Sequence, residues 1–370
     1  MHERHDIIVI GAGQAGLATG YHLAHQGVDF LILDRHQRVG ESWRRRWDSL
    51  RLFTPARMDG LPGMAFPAPP DHRPSKDEVA DFLEGYAERM RLPMRLGVTV
   101  ERLTDSSAGG HGFDVTTDHG TYRAERVIVA SGAWHEPRVP PFAAQLDDGV
   151  LQLHSSELRS VSQLQSGSVL VVGGANSGAE IAAMAAPDHE TWLVGRDTGQ
   201  MPFDIDARVA DVAASVVWFA ANHVVTVRNP IGRRAIAAMR DHGSPLERVR
   251  KRDLESAGVK RIYARVSGTQ DGLPVLADGR VLPVRNVVWA TGFRHDLPWI
   301  QLSDPVVGAD GWPAHRLGVS TRVAGLYFVG LPYQTSFASA LLGGVGRDAE
   351  HIATSCVQAS HGLVRSAAPA

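Results

Sequence analysis

The sequence predicts an α/β chain of two doubly wound units, the second inserted into the first. Three observations carry that expectation. DIIVIGAGQAGLATG (6–20) reads as a short apolar strand, a glycine-rich turn and the start of a helix. VLVVGGANSGAEIA (169–182) repeats that layout. GLYFVG (325–330) reads as one more strand, followed by the helix-like stretch SALLGGVGRDAEHIATSCVQA, so the first unit draws on both chain ends.

In the first unit, Ile7 to Ile10 is the apolar run of a buried parallel strand. Gly11-Ala12-Gly13-Gln14-Ala15-Gly16 then fits G-x-G-x-x-G. Gly11 makes the tight turn. Gly13 lets the backbone approach a pyrophosphate, and Gly16 lets the helix pack on the strand. Gln14 and Ala15 open the helix, whose free amides and positive dipole end face the phosphates. The helix is expected from Gln14 to near Gly27, a glycine stop. The next strand, DFLILD, ends at Asp34, 23 residues past Gly11 (34 − 11). An acid about 20 residues on binds the adenosine ribose. A carboxylate repels a 2′-phosphate, so this unit is expected to hold FAD or NAD(H), with Arg35 beside the acid at the same edge.

The second unit begins with the strand Val169 to Val172. Gly173-Gly174-Ala175-Asn176-Ser177-Gly178 follows, with Ala175 where the second glycine would stand. The helix from Asn176 is expected to reach Ala186, where Pro187 ends it, and TWLVG is the next strand. The residue after that strand is basic: Arg196 lies 23 residues past Gly173 (196 − 173). A guanidinium forks onto a phosphate, so the second unit reads as a site for the 2′-phosphate of NADPH. The competing reading of Arg196 is a surface arginine closing a strand end. Two dinucleotides side by side suit hydride transfer from a nicotinamide to a flavin.

Composition narrows the class. The chain has 370 residues, 44% hydrophobic and 21% charged, enough for two or three domains with substantial cores. A formal net charge of −2 argues against a nucleic-acid binder that works by phosphate neutralisation. No apolar run reaches the ~18 residues that a membrane span needs. The N-terminus shows no signal peptide pattern, and a cytoplasmic location is expected. The single cysteine, Cys356, excludes a disulfide framework and any Cys-x-x-Cys pair. No His/Cys/Asp/Glu cluster has metal-ligand spacing, so no metal is expected.

Further elements frame the units. RVIVASG (126–132) and NVVWATGF (286–293) are strands that end in A-[ST]-G turns, carrying Ser131-Gly132 and Thr291-Gly292. Ser75-Lys-Asp-Glu78 is a capping box. After it Val79, Phe82, Leu83, Tyr86, Ala87 and Met90 repeat at helical spacing as core. The expected domains are 1–159 and 291–370 for the first unit and 160–290 for the insert. Within the insert, 201–265 holds helical-looking apolar stretches and a basic run: Arg233, Arg234, Arg248, Arg250, Lys251 and Arg252. A solvated basic face is the favoured reading of that run, beside a lid, a dimer surface or a membrane-touching face.

These features together resemble the flavin-containing monooxygenases, the group that includes the plant YUCCA enzymes, and their short bacterial relatives. The resemblance spans nearly the whole chain: GAGQAG, the GESW segment (40–43), WDSLRLFTP (47–55), the A-[ST]-G turns, GGANSG and ATGF. It implies the FAD/NAD(P)-binding, glutathione-reductase-like fold with two Rossmann-like domains. It also implies that Gly40, Ser42, Trp43, Ser131, Gly132, Thr291, Gly292 and Gly330 lie at the cofactors. The family fingerprint F-x-G-x-x-x-H-x-x-x-[FYW] survives only in part. His154 is kept, the glycine is one position early at Gly149, and Leu158 replaces the aromatic. Phe53 stands where many members carry a polar residue near the flavin.

The implied activity is that of an FAD-containing, NADPH-dependent monooxygenase. NADPH reduces FAD, O₂ adds at the flavin C4a, and one oxygen atom passes to a small organic substrate. Such chemistry needs a dry, apolar pocket. Trp43, Trp47, Phe53, Trp134, Phe203, Tyr333 and Phe337 are candidate walls, each with plain packing as the alternative. His154, Phe53 and Trp47 are the candidate catalytic residues, with a hinge or linker role between domains as the favoured reading of His154 over proton transfer. His72 and His135 have weaker claims, and His36, His189 and His315 read as exposed. The runner-up activity is an NADPH-dependent flavin reductase or oxidase passing electrons to O₂, a quinone or a protein. The expected partners are a small organic substrate and O₂, with a homodimer as a further candidate.

Overall fold

β1 (Glu3–Ile10) is the centre of the first sheet in the computed structural model, which describes residues 3–107, 112–132, 136–201, 210–295 and 297–366. Ile7, Ile8 and Val9 are fully buried because parallel partners flank them on both sides. Ile8 pairs with Leu31 of β2 (Phe30–Asp34). On its other side it pairs with Val127 of β6 (Gly120–Val129). A strand covered on both faces carries a continuous apolar run rather than an alternating one, which is why IIVI was readable. α1 (Gln14–His25) crosses from β1 to β2 and stops at its cap Gln26, just before Gly27 at φ +66°.

The chain then forms the short α2 (Glu41–Arg44) and α3 (Lys76–Arg89). The capping box is present: Ser75 Oγ accepts from the Glu78 amide, and Glu78 accepts from the Ser75 amide at 2.7 Å. All the expected core residues of α3 are buried, with Met90 half-buried against the same cluster. β3 (Met94–Leu96) extends the parallel edge beside β2. The antiparallel β4 (Val100–Asp105) and β5 (Phe113–Thr117) lead into β6.

After β7 (Glu136–Pro137), the second sheet is wholly parallel, in the order β11-β10-β9-β14-β8. Its strands are β8 (Leu151–His154), β9 (Val169–Val172), β10 (Thr191–Val194), β11 (Lys260–Ile262) and β14 (Asn286–Trp289). β8 joins this sheet although it precedes residue 160, the expected start of the insert. α4 (Asn176–Ala185) follows β9, and α5 (Ala210–His223), α6 (Pro230–His242) and α7 (Lys251–Ser256) lie between β10 and β11. A β12 (Val266–Gln270) and β13 (Leu273–Leu276) hairpin precedes β14, and β15 (Phe293–Arg294) returns to pair with β7.

The chain closes on the first sheet with β16 (His315–Arg316), β17 (Val319–Ser320) and β18 (Leu326–Phe328), and β18 lies parallel to β6. α8 (Val345–Ser366) covers α1. It starts later than the sequence suggests. Gly343 and Gly344 run so close to the Met58 and Ala338 carbonyls that added Cβ atoms would stand 1.5 and 2.0 Å away. That packing holds 337–340 as a separate 3₁₀ turn.

Candidate active site

Both glycine loops show the geometry that their spacing requires. Gly11 has φ +112°, and a Cβ on it would meet the Ala130 carbonyl oxygen at 2.5 Å. A Cβ on Gly16 would stand 1.8 Å from the Gly11 oxygen. Gly13, by contrast, has nothing within 4 Å of such a Cβ. The first and third glycines are therefore demanded by the fold, and the second leaves open space over the helix start. No side chain caps α1, so its first-turn amides are available to an anion. Ala12 N donates to Asp34 Oδ2 at 2.7 Å, and His36 N donates to Oδ1 at 2.8 Å. Burial opposes ionisation of Asp34, but the His36 and Ala12 hydrogen bonds prevail and hold the carboxyl below the ordinary range. Arg35 beside it is exposed.

The second loop repeats the pattern. Gly173 has φ +127° and would clash with the Ala290 oxygen at 2.1 Å, and Gly178 would clash with the Gly173 oxygen at 1.8 Å. Ala175 caps α4 without a side-chain bond, and its methyl lies against Gly243. Asn176 is engaged by the chain itself. Its Nδ2 donates to the Pro245 carbonyl at 3.0 Å, and its Oδ1 accepts from Glu247 N at 2.9 Å. Ser177 is half-buried beside it, and Arg196 is exposed at the carboxyl end of β10.

The other expected cofactor residues fall around these loops. Trp43 Nε1 donates to Gln14 Oε1 at 3.3 Å, and Gln14 Nε2 donates to the Ala340 carbonyl at 3.3 Å. The loop, α2 and the 337–340 turn are thus tied together. Gly40 (φ +82°) packs on the Ala80 carbonyl, and Ser42 is exposed. Gly330 (φ +79°) passes over Ala15. Ser131 and Gly132 line a small cavity with His295, Leu297 and Phe328. Thr291 Oγ1 donates to the Arg138 carbonyl.

His154 is buried at the end of β8. Its Nδ1 accepts from Ser156 N at 3.2 Å, so the proton sits on Nε2, which donates to the Gly292 carbonyl at 3.0 Å. Burial lowers its pKa and keeps the ring neutral. Both nitrogens are occupied, and the ring meets Phe293 edge-on at 4.9 Å. Trp47 is buried and donates from Nε1 to Glu180 Oε2 of α4 at 3.2 Å, bridging the two units. Phe53 is half-buried, and its carbonyl accepts from Arg73 at 2.9 Å. Trp134, His135 and Phe203 lie outside the described residues. His315, expected to be exposed, packs near Phe328 instead, and burial pushes its pKa down to about 4.

Sequence reasoning missed a pair of carboxyls. Glu180 and Glu247 approach from the helix after the second loop and from the segment before α7. Burial, reinforced by the Glu180 charge, pushes Glu247 up to about 8. Burial raises Glu180 as well, against the opposing pull of Arg248 and the Trp47 bond. Tyr333, in the left-handed region at φ +58°, reaches from the first unit to Ser244 Oγ at 3.4 Å. The basic run divides: Arg233, Arg234 and Arg252 are exposed, as a solvated face requires, and two others face acids. Arg248 serves Glu180, and Lys251 bonds Asp197 at 2.6 Å. Nor is the rest of the insert free. Val227 N donates to the Thr335 carbonyl at 2.9 Å, and Arg347 donates to the Asn222 carbonyl at 2.8 Å. Among the described residues no helix is long and apolar enough to cross a membrane, and no metal-holding cluster of His, Cys, Asp or Glu occurs.

Two strand–glycine–helix units in contact, one ending in an acid and one in an arginine, define an oxidoreductase with two dinucleotide sites. The chain matches the pyridine nucleotide-disulphide oxidoreductase model over residues 8–228. It is 41% identical to an uncharacterized CzcO-like oxidoreductase of Geobacillus kaustophilus, over 94% of this chain and 97% of that one. It is 29% identical to a probable indole-3-pyruvate monooxygenase YUCCA1 of Arabidopsis thaliana, covering 88% of this chain and 84% of the relative. A flavin-containing monooxygenase from Stenotrophomonas maltophilia superposes with a TM-score of 0.74 at 28% identity, over 97% of this chain and 99% of that one. The chain belongs to the pyridine nucleotide-disulphide oxidoreductase family, within its flavin monooxygenase-like group. Cys356, the single cysteine, is fully buried in α8, and burial pushes its thiol up to about 12.

Proposed function

We propose that the chain is an FAD-containing, NADPH-dependent monooxygenase that inserts one oxygen atom into a small organic substrate. The observation that carries this reading is the pairing of Asp34 at one nucleotide loop with Arg196 at the other, on units joined by the Trp47–Glu180 bond. The likeness to a flavin-containing monooxygenase and to a monooxygenase of indole-3-pyruvate supports it. The insert is better drawn from β8 than from residue 160.

FAD fits the first unit. Gly13 leaves the backbone open, the α1 amides face that space, and Asp34 stands where the adenosine ribose is bound. NADPH fits the second through Gly173 and Gly178, which stand as Gly11 and Gly16 do in the first, and through Arg196. When bound, the flavin supplies hydride acceptance and the reaction with O₂. The protein's own residues do the rest. Gln14 and Trp43 fix the loop against α2, and His154 pins the Thr291-Gly292 turn, acting as a positioning residue. Trp47 and Glu180 hold the two units in register. Glu247, beside Glu180, keeps a proton on its carboxyl at neutral pH.

The runner-up, a reductase or oxidase without oxygen transfer, draws on the altered fingerprint. Leu158, in the aromatic position, is fully buried in the core of the second unit. The test of cofactor choice is anaerobic reduction of the FAD-loaded protein by NADPH and by NADH, read from bleaching of the flavin. Arg196→Ala should raise the half-saturating NADPH concentration about 10-fold or more, through loss of a charge-assisted fork, and leave NADH within about twofold. Equal effects on both would sink the assignment.

A further inference from the structure

The residue after Arg196 is Asp197, and an acid there works against a 2′-phosphate. A carboxylate at the end of the second strand accepts from the 2′-hydroxyl of NAD(H) and repels the phosphate of NADP(H). The structure does not leave it as a free acid. Lys251 Nζ, from α7, lies 2.6 Å from Asp197 Oδ2. Arg261 Nη2, from the neighbouring strand β11, lies 3.8 Å from Oδ1. The Gly199 amide donates to Oδ1 at 3.0 Å. The Lys251 bond, followed by the Gly199 amide, holds the carboxyl below its ordinary range.

Among the described residues two cations, Lys251 and Arg261, pair with this one acid. Arg261 pairs with Asp197 only at ion-pair distance. Among the described residues both its Nη atoms are shielded from solvent and have no hydrogen-bond partner. The Arg261 side chain is only 11% exposed. A buried guanidinium whose donors are unused is a strong preference for an added anion. The Tyr263 ring keeps both cations in place, with Arg261 Cζ 5.0 Å and Lys251 Nζ 6.0 Å from its centroid. Register fixes the location. Leu193 of β10 pairs with Arg261, and the Gly195 amide donates to the Ile262 carbonyl. Arg196, Asp197 and Arg261 therefore sit together at the carboxyl ends of β10 and β11, the edge where an adenosine ribose is read.

We propose that Lys251 and Arg261 determine coenzyme specificity, by cancelling Asp197 and leaving a net cationic seat for a 2′-phosphate beside Arg196. The proposal rests on the NADPH reading and names what lets that reading survive an adjacent acid. It also gives α7 of the insert a function: it delivers the lysine.

The test uses nucleotide fragments and needs no turnover. Affinities for 2′,5′-ADP and for 5′-AMP, which differ only in the 2′-phosphate, are measured by calorimetry at low salt on the full chain. Lys251→Met should weaken 2′,5′-ADP about tenfold, the effect of one nearby uncancelled charge, and leave 5′-AMP within about twofold. Adding Asp197→Asn to that variant should restore 2′,5′-ADP binding, because the charge that Lys251 neutralises is then gone. An unchanged preference in Lys251→Met, or no rescue in the double variant, overturns the proposal while leaving NADPH use standing. A wild-type chain that binds 2′,5′-ADP no better than 5′-AMP overturns the NADPH reading and the proposal with it.

Discussion

Glu247 gives the sharpest test of the buried carboxyl pair, and Glu247→Gln is the perturbation. In the folded chain its carboxyl is pushed up to about 8, first by burial and then by the Glu180 charge, against an ordinary value of 4.5. The difference, about 3.5 pH units, corresponds to about 5 kcal/mol at 1.36 kcal/mol per unit. Rearrangement of the carboxyl and water entry reduce that figure, and about 2–3 kcal/mol is expected. The sign follows from proton binding. Between pH 4.5 and 8 the folded chain keeps a proton that the unfolded chain releases, so stability falls as pH rises through that window. Glutamine has the same shape and cannot ionise. Glu247→Gln should match the wild type near pH 5, unfold a few degrees higher near pH 8, and show a flatter pH dependence. The assay is thermal unfolding at a series of pH values with both proteins in the same cofactor state. A wild-type slope that survives the substitution would show that Glu247 is not the protonated group.

Other substitutions probe the loops and the bridge. Gly16→Ala puts a methyl 1.8 Å from the Gly11 oxygen and should cost at least about 3 kcal/mol of stability or abolish folding. Gly13→Ala, with open space around it, should unfold within about a degree or two of the wild type and retain FAD markedly less well in dialysis. Equal loss of stability in the two variants would contradict the assigned roles. Trp47→Phe removes the donor to Glu180 Oε2, and about 1–3 kcal/mol of stability should go with it, read by chemical denaturation at neutral pH. A variant as stable as the wild type would show that this bridge does not hold the units together.

The parts of the molecule legible in the sequence are those whose determinants are local. A glycine loop and the acid or base 23 residues on are set by one strand–helix–strand unit, so spacing alone located Asp34 and Arg196 at strand ends. The same holds for the capping box of α3, closed within four residues. What stayed hidden depends on contacts between distant segments. Glu180 and Glu247 lie 67 positions apart (247 − 180), and neither has a spacing that announces the other. The solvated-face reading of the basic run holds for the exposed Arg233, Arg234 and Arg252 but not for two others, because a string of cations does not reveal its partners. Folding gives Arg248 to Glu180 and Lys251 to Asp197. β8 escaped because LQLH is four residues long and half polar, and its membership of the second sheet comes only from pairing with β14. For His154 the sequence favoured a linker over a proton carrier, and the linker reading agrees with the Ser156 amide and the Gly292 carbonyl holding its two nitrogens.

Oxygen transfer itself is the central claim, and isotope-labelled dioxygen tests it most directly. The FAD-loaded protein is turned over with NADPH and a panel of small sulfides, amines and ketones, and products are read by mass spectrometry beside the hydrogen peroxide formed. The account predicts one labelled oxygen atom in at least one product and less peroxide than NADPH consumed. Peroxide equal to the NADPH consumed, with no label in any product across the panel, would contradict it and favour the reductase or oxidase reading.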